Sequence, residues 1–216
     1  MFNYLTGFGR PLGYRKVLTA PDHLRAGIIE QIERTVEAHS EASPARIAMK
    51  MNALVDGRCI RALYAASQAG VRIDLNVRGI CCLRPGLPGV SENIRVVSIV
   101  GRLLEHSRVY SFERAGEQTF YIASADLMPR NLDHRVELAV PIVSPELRAE
   151  LLDTLERAFE DNQNSWELDG DGAWNRRAPG PGERPRNMQL ELAELYSARA
   201  GESPFVRGGE LSGRER

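Results

Sequence analysis

Residues 47–77 combine strand and helix patterns in an order that few folds can accommodate. The run Ile47–Met51 reads as a strand, and Asp56 then stands where an N-cap would begin a helix that stops at Gly70. Val71–Val77 follows, with apolar residues at every second position, which is the period of a β-strand. Strand, helix and strand in this order predict a helical crossover and therefore an α/β domain.

The rest of the sequence extends this alternation of strands and helices. Further strands are predicted at Arg15–Ala20, Ile94–Val100, Arg108–Phe112, Thr119–Ser124 and Arg135–Val140. Further helices are predicted at Pro21–Ala38, from Ser144 to about Phe159, and, as a short element, at Met188–Ala198. The pair near residues 108–124 resembles a hairpin, so the prediction is a mixed β-sheet flanked by helices. The irregular loop 78–91 has a length typical of a functional loop.

The composition excludes several classes of protein. No run of about 18 apolar residues occurs, so no transmembrane segment is predicted. The N-terminus lacks a basic segment followed by an apolar one, so it does not read as a signal peptide. Cys59, Cys81 and Cys82 are a sparse, odd set without zinc spacing, and we interpret them as buried thiols in a reducing cytoplasm.

The positive charge is carried almost entirely by arginine. Lys16 and Lys50 are the two lysines among 28 basic residues, and the net charge is −1. Codon bias alone can produce this composition. Arginine also suits two-point contacts to phosphate, and composition does not separate the two explanations.

Candidate functional residues lie where predicted strands begin or end. Arg78 follows one strand directly and His106 precedes another, and α/β sheets bind ligands at strand ends. Arg135 and Glu137 are two positions apart, so they are predicted to share one face of the last strand. A groove lined by guanidinium groups and one histidine suits a polyanion with its charge on phosphoryl oxygens.

The residues around His106 partly match a known motif spacing. His106, Arg108 and Glu113 match His-x-Lys-x4-Asp with arginine for lysine and glutamate for aspartate, and a serine turn follows at Ser124. This spacing resembles that of the phospholipase D superfamily. A lone histidine is more often a surface residue, so the spacing alone does not assign a function.

A longer series of motifs gives a specific resemblance. The motifs are Lys50-Met-Asn-Ala-Leu-Val-Asp56, Leu63-Tyr-Ala-Ala-Ser-Gln-Ala-Gly70, Val77-Arg-Gly-Ile-Cys-Cys-Leu-Arg-Pro-Gly86, Ser98-Ile-Val-Gly-Arg102, Glu105-His-Ser-Arg108 and Ser124-Ala-Asp-Leu-Met-Pro-Arg-Asn131. In this order and at these separations they resemble the C-terminal part of histidine-type polyphosphate kinases, the polyphosphate kinase 1 family. The resemblance runs from about Phe2 to Leu168.

The resemblance implies site residues and roles. The family transfers the γ-phosphoryl group of ATP reversibly to polyphosphate through a phosphohistidine. His106 matches the second active-site histidine, which is the catalytic candidate here, and Arg78 matches a contact to the nucleotide phosphates. Arg135 and Glu137 match polar residues of the same tunnel. Further binding candidates, from their place inside the motifs, are Lys50, Ser124 and Asn131.

The resemblance also implies a domain organisation. Residues 1–16 would be a remnant of a preceding phospholipase D-like domain, residues 17–168 the C-terminal phospholipase D-like domain, and residues 169–216 a linker, a short helix and a flexible tail. The abrupt start at Met1 suggests a chain that begins inside a larger protein. The phosphorylated histidine and the residues that contact Mg²⁺ would then lie outside this sequence.

Partners and alternatives follow from the same resemblance. ATP, ADP and inorganic polyphosphate are the expected partners in the cytoplasm, with Mg²⁺ as cofactor and no nucleic acid. A missing N-terminal half or a homo-oligomer remains open. A second hypothesis is a binding fragment that holds polyphosphate or nucleotide without turnover. A third is a phosphodiesterase or nuclease of the phospholipase D kind, which needs two histidine motifs where this sequence has one.

Overall fold

A computed structural model of the chain describes Tyr14 and residues 16–199. Nine strands form one sheet: β1 Leu18–Ala20, β2 Arg46–Met51, β3 Arg72–Val77, β4 Ile94–Ile99, β5 Arg108–Arg114, β6 Glu117–Ala123, β7 Glu137–Ile142, β8 Ser165–Leu168 and β9 Trp174–Arg176. Five helices accompany them: α1 Leu24–Ala38, α2 Gly57–Gln68, α3 Pro129–His134, α4 Pro145–Glu160 and α5 Met188–Arg199. Most of the predicted remnant at residues 1–16 and the predicted flexible tail at 201–216 lie outside the described residues.

The sheet is mixed, as the sequence predicts. Its strand order is β1-β7-β6-β5-β2-β3-β4-β8-β9. The central strands β2, β3 and β4 are parallel, and α2 makes the crossover from β2 to β3. The flanking strands are antiparallel. The β5–β6 hairpin turns at Ala115 and Gly116, whose φ angles of 48° and 83° are those of a tight two-residue hairpin turn.

Both faces of the central strands are buried. Helices α1 and α2 cover an apolar cluster that includes Ile47, Leu75 and Phe112 on one face. Helix α4 covers the other face and contributes Leu155 and Phe159 to a second cluster. The polar residues Asp74 and Asn76 of β3 are therefore buried as well as the apolar ones, which the alternation itself does not reveal.

The buried Asp74 in β3 shows how the fold compensates for this double burial. Its carboxylate pairs with three arginines at distances of 2.8 Å (Arg46), 3.0 Å (Arg72) and 3.1 Å (Arg95). A buried carboxylate without partners would be strongly unfavourable, so these guanidinium groups make the position tolerable. The three arginines come from neighbouring strands or from β3 itself.

The predicted limits of α2 and the predicted start of α4 are confirmed by their caps, whereas α1 begins at Leu24 rather than at Pro21. Asp56 Oδ1 accepts hydrogen bonds from Arg58 N at 3.1 Å and from Cys59 N at 3.0 Å, at the start of α2. Gly70, with φ of 92°, follows the last turn of the same helix, where a left-handed residue is favoured. Ser144 caps α4 by accepting from Leu147 N at 3.3 Å.

The predicted linker, which begins at residue 169, contains a strand of the sheet. Strand β8 pairs with β4, β9 pairs with β8, and the Gly-rich stretch at 169–172 is the turn between them. Asp161 is buried, and its side chain accepts from Asn164 N at 2.7 Å and from Met188 N at 2.8 Å. Met188 packs on Ile99, so α5 docks on the domain. Turn residues and linker residues share one composition, which explains the error.

Two further expectations concern β7 and membranes. Strand β7 begins at Glu137 rather than at Arg135, because α3 extends to His134 and the chain leaves that helix through Arg135. It is also not the last strand, since β8 and β9 follow. Within the described residues, the helices are all too short or too polar to cross a membrane.

Candidate functional site

The candidate site begins where the parallel strands β2 and β3 end. Asn52 follows β2, Arg78 follows β3, and Arg78 Nε donates to Asn52 Oδ1 at 2.9 Å. Gly79 N donates to Asn52 O at 2.8 Å. A Cβ atom at Gly79 would lie 3.0 Å from that oxygen, so glycine permits the close approach of the two segments. The carboxyl ends of parallel strands are the usual ligand-binding edge of such sheets.

Asp126 fastens this edge to the neighbouring hairpin. Its Oδ1 accepts from Asn52 N at 2.7 Å and from Ala53 N at 3.3 Å. Arg108 donates to both carboxylate oxygens, from Nε at 3.1 Å and from Nη2 at 2.9 Å. Burial tends to raise the pKa of Asp126, but the hydrogen bonds from Arg108 and the backbone outweigh burial and lower it. Asp126 is therefore a stable anion at neutral pH.

Lys50 lies in β2 with its side chain only 2% exposed. Its Nζ donates to Ser107 Oγ at 2.8 Å and to Ser107 O at 3.3 Å, and it pairs with Glu105 at 3.2 Å. Burial lowers the pKa of Lys50, and the charge of Glu105 opposes that shift. The ammonium group is thus committed to residues 105–107 and stabilises the loop that precedes β5.

His106 is the exposed centre of that loop. Lys50 holds the residues on both sides of it, and the carbonyl oxygen of His106 accepts from Arg108 Nη1 at 2.8 Å. Its imidazole has no hydrogen-bond partner among residues 16–199 and faces solvent. The structure therefore fixes the backbone at His106 while leaving the imidazole available to a ligand.

Ser124, Asn131 and Glu137 form a separate cluster, in which Asn131 and Glu137 are buried and Ser124 is exposed. Ser124 Oγ donates to Glu137 Oε2 in a short hydrogen bond, and Asn131 Nδ2 donates to Glu137 Oε1 at 2.7 Å. Leu138 N donates to Ser124 Oγ at 3.1 Å. Glu137 is 8% exposed and has no ion-pair partner within the described part of the chain. The cluster satisfies this carboxylate through neutral donors.

Electrostatics connect the two halves of the site. The pKa of Arg108 is raised, chiefly by its hydrogen bond to Asp126, and the charge of Glu137 adds to the shift. The charges of Arg108 and Arg78 both contribute to the lowered pKa of Lys50, after the larger effect of burial. The charge of Lys50 therefore interacts with those of Arg78 and Arg108. The opposite charges of Asp126 and Glu137 act in turn on Arg108.

Arg135 does not join Glu137 as predicted. It follows α3 and is exposed, whereas the carboxylate of Glu137 is buried against Ser124 and Asn131. The prediction that the two residues share a face of one strand is wrong, because Arg135 precedes β7.

Glu113, the acidic residue of the spacing that resembles the phospholipase D superfamily, does not contact Arg108. It lies on β5 five residues beyond Arg108, a separation of about 16 Å along a strand, and contacts Gln118. The carboxylate that pairs with Arg108 is instead Asp126. Asp126 and Asn52 both stand inside the motifs that identify the family, so that signal was available in the sequence.

A cavity of about 220 Å³ opens beside Arg78. Its walls are Arg78, Gly79, Ser98, Val100, Trp166 and Trp174. Ser98 Oγ donates to Arg78 O at 3.1 Å, which fixes the backbone at the cavity mouth. Trp166 and Trp174 come from β8 and β9, strands that sequence reasoning missed. The terminal nitrogens of Arg78 have no acidic partner in the described structure, and such a guanidinium suits an anion.

The residues present do not fit a resident Mg²⁺ ion. Among the described residues, no three His, Cys, Asp or Glu side chains are grouped closely enough to hold a metal. The carboxylates nearest the site, Asp126 and Glu137, already accept hydrogen bonds from protein donors. We therefore derive no step through a magnesium ion held by this chain.

Comparison with solved structures defines the class of fold. Nuc of Salmonella typhimurium, a phospholipase D family member, aligns with 71% of this chain with a TM-score of 0.53 at 15% identity. NucT from Helicobacter pylori aligns with 67% of it with a TM-score of 0.51 at 10% identity. The fold is therefore phospholipase D-like, and at these identities the likeness concerns the fold alone.

Sequence relatives define the family. The model described as "Polyphosphate kinase C-terminal domain 2" matches residues 17–189. The polyphosphate kinase of Synechocystis is 49% identical over 207 residues, and that of Pseudomonas aeruginosa is 48% identical over 198. The polyphosphate kinase of Porphyromonas gingivalis superimposes with a TM-score of 0.87 at 37% identity, over 93% of this chain and 31% of its own. The chain belongs to the polyphosphate kinase family.

The match covers nearly all of this chain but a minor part of its relatives. It includes 96% of this chain and 28% of the Synechocystis kinase, and 92% of this chain and 29% of the Pseudomonas kinase. The chain therefore spans between a quarter and a third of the length of these relatives, and it corresponds to their C-terminal domain.

Proposed function

We propose that this chain supplies the part of a polyphosphate kinase that contacts nucleotide and polyphosphate during reversible transfer of the ATP γ-phosphoryl group. The observation that carries the proposal is Arg78. Its guanidinium stands at the end of a parallel strand, is oriented by Asn52, borders a cavity and lacks an acidic partner within residues 16–199. An oriented guanidinium free of protein anions favours phosphoryl oxygens.

The other site residues take roles that fit their positions. Phosphoryl transfer depends mainly on positioning and on stabilising charge. Arg78 and the exposed Arg135 bind phosphoryl oxygens. His106 donates a proton or a hydrogen bond to a phosphoryl oxygen during transfer, because its imidazole is exposed and histidine is the commonest general acid in enzymes. Lys50 positions His106 through the loop that it holds.

Glu137 acts as an orienting residue rather than as a base. Its two carboxylate oxygens accept hydrogen bonds from Ser124, which follows β6, and from Asn131, which lies within α3. This arrangement links the start of β7 to the segment that carries Asp126, and the charge of Glu137 also favours the cationic form of Arg108. Ser124 and Asn131 are binding candidates through this link.

The proposal places the phosphorylated histidine of the family outside this sequence. The chain alone is then expected to bind substrates without completing turnover. Magnesium, which the family uses, would accompany the nucleotide or be bound by residues elsewhere, consistent with the donor set found at this site.

The test is ATP formation from ADP and long-chain polyphosphate in the presence of magnesium. The purified chain alone is expected to form none. Adding the Synechocystis kinase without its matching C-terminal part should restore activity, and Arg78→Ala and His106→Ala should each abolish most of it. His106-dependent ATP formation by the chain alone would show that the nucleophile does not lie elsewhere. Restored activity unaffected by Arg78→Ala would refute the assignment of the site.

A non-catalytic binding fragment is the second candidate, because the phosphate site is already formed in the chain. Polyphosphate binding that weakens with salt, without ATP formation after reconstitution, would identify it. The phosphodiesterase alternative needs two histidine motifs, and this sequence has one. Hydrolysis of a chromogenic phosphodiester would revive it.

A further inference from the structure

Asn52 is held at three of its four polar groups. Its backbone N donates to Asp126 Oδ1 at 2.7 Å, and its backbone O accepts from Gly79 N at 2.8 Å. Its side-chain Oδ1 accepts from Arg78 Nε at 2.9 Å. The remaining group, the Nδ2 amide, is buried and has no hydrogen-bond partner in the described structure, and the residue is 8% exposed.

The orientation of this amide is fixed by chemistry. Flipping an asparagine side-chain amide exchanges the positions of its oxygen and nitrogen, so the correct orientation is assigned from the hydrogen-bond partners. A guanidinium can only donate, so the amide oxygen of Asn52 must face Arg78 and Nδ2 must face away from it. The unused donor is therefore a property of the arrangement and cannot be removed by flipping the amide.

A buried donor without an acceptor is unfavourable, so an acceptor supplied by a ligand would stabilise this amide. An acceptor for Asn52 Nδ2 must come close to the half-buried Arg78, because the oxygen of the same amide accepts from Arg78 Nε. The terminal nitrogens of Arg78 lack a described acidic partner as well. One ligand with several negatively charged oxygens satisfies both residues, whereas a neutral acceptor would leave the guanidinium uncompensated.

We propose that Asn52 Nδ2 donates to a non-bridging oxygen of the same phosphoryl group that the terminal nitrogens of Arg78 bind. This inference rests on the proposed function and adds a residue to its site. Asn52 both orients Arg78 and contacts the ligand. Because Asp126 and Gly79 hold its backbone, the two donors are arranged before the phosphoryl group arrives.

The first test uses the full 216-residue chain and inorganic tripolyphosphate in isothermal titration calorimetry at low ionic strength. Asn52→Asp keeps an oxygen for Arg78 but replaces the donor by an acceptor, and it should weaken binding about 10- to 100-fold. The matched control is Asn187→Asp, which adds the same charge at the start of α5 and keeps the oxygen that caps Leu190 N at 3.2 Å. Its affinity should stay within about twofold.

A double-mutant cycle separates direct contact from positioning of Arg78. If Asn52 acted only through Arg78, Asn52→Ala would cost nothing further in a chain that already carries Arg78→Ala. We expect a further loss of about fivefold or more, because the amide contact is removed independently. Equal affinities of the single Arg78→Ala variant and the double variant would overturn the inference.

A spectroscopic measurement tests the same contact in the unsubstituted chain, so its result with ligand does not depend on whether a variant folds. The side-chain NH2 signal of Asn52, assigned by its absence in Asn52→Asp or by conventional triple-resonance experiments, should shift when tripolyphosphate is added to the unsubstituted chain. An unmoved signal, with binding that still depends on Arg78, would overturn the inference and leave the proposed function intact. Failure of the unsubstituted chain to bind tripolyphosphate would overturn both.

Discussion

Arg108 and Asp126 form a two-point ion pair, with Nε to Oδ1 at 3.1 Å and Nη2 to Oδ2 at 2.9 Å. Arg108 begins β5, and Asp126 lies between β6 and α3. The same carboxylate accepts from the backbone of Asn52, where the candidate site begins. The ion pair therefore connects the antiparallel hairpin to the ligand-binding edge of the parallel strands.

Loss of the charge on Asp126 should destabilise the fold. Asp126→Asn leaves the largely buried Arg108 without its counter-charge, and such changes cost about 3–5 kcal/mol of unfolding free energy. Urea denaturation of the two chains measures the difference. Asp171→Asn, a change at an exposed carboxylate, should leave the transition unmoved. An equal midpoint for Asp126→Asn and the unsubstituted chain would contradict the role assigned to the pair.

The same carboxylate predicts a specific pH dependence. Because the pKa of Asp126 is lowered in the folded state, its stabilising contribution is complete above the unfolded-state pKa. That contribution is lost as the pH falls through the lower folded-state value, so the window lies below about pH 4. Unfolding free energies measured between pH 6 and pH 3 should fall less steeply for Asp126→Asn. Parallel curves would show that the pair does not set this dependence.

Asn131→Asp should lower the free energy of unfolding in a pH-dependent way, because residue 131 contacts the buried Glu137. It replaces the amide that donates to Glu137 Oε1 at 2.7 Å by a second carboxylate. Two buried carboxylates in contact raise the pKa of one of them, so the penalty grows as pH rises and falls as one is protonated. We expect a loss of more than about 2 kcal/mol at pH 8 and a smaller loss at pH 5.

Urea denaturation at the two pH values checks this prediction, with Asn187→Asp as the control for added charge. A loss that is equal at both values would indicate that the two carboxylates do not share a buried environment. A loss that increases at low pH would contradict the sign.

Lys50→Met should lower turnover in the reconstituted enzyme more than it lowers the stability of the fold. The substitution keeps the apolar stem in the core, and Glu105 still accepts from Gln189 Nε2 at 3.1 Å, so the loss of stability should be smaller than for Asp126→Asn. It also releases Ser107 and Glu105, on either side of His106. We expect turnover in the reconstituted enzyme to fall about 10-fold or more through misplacement of the histidine.

Comparison with His106→Ala tests that route. If Lys50 acts through His106, Lys50→Met should add little to the loss already caused by His106→Ala. Fully additive losses would mean that Lys50 contacts the substrate independently. Thermal unfolding of each variant verifies that the comparison concerns folded protein.

The three cysteines should differ in reactivity, contrary to the expectation that all are buried thiols. Cys82 is exposed, Cys81 is half-buried and Cys59 is buried. Burial raises the pKa of Cys81 to about 11 and raises that of Cys59 further. Timed maleimide labelling at pH 8 should modify Cys82 first and Cys59 last, because the thiolate is the reactive form. Mass spectrometry of the digested chain gives the order directly, and early labelling of Cys59 would contradict the structure.

Local patterns in the sequence determined much of the fold. The helix limits at Asp56 and Gly70, the alternation before Arg78 and the cap at Ser144 were predictable because each depends on a few consecutive residues. The ordered motifs identified the polyphosphate kinase family, and the family model and relatives bear this out. The candidate residues in those motifs include Lys50, whose burial and partners the sequence did not indicate.

Only the tertiary structure decided which side chains meet. Strand β5 lies beside β2 although more than fifty residues separate them, and this neighbourhood brings Asp126 and Arg108 to Asn52. Helix α3 keeps Arg135 outside β7, and β9 forms from a segment with the composition of a linker. The sequence by itself determines the local elements and the family, because both are written in short, ordered stretches. Contacts such as Asn52 with Arg78 depend on strand order and on burial of both sheet faces, which are properties of the whole folded chain.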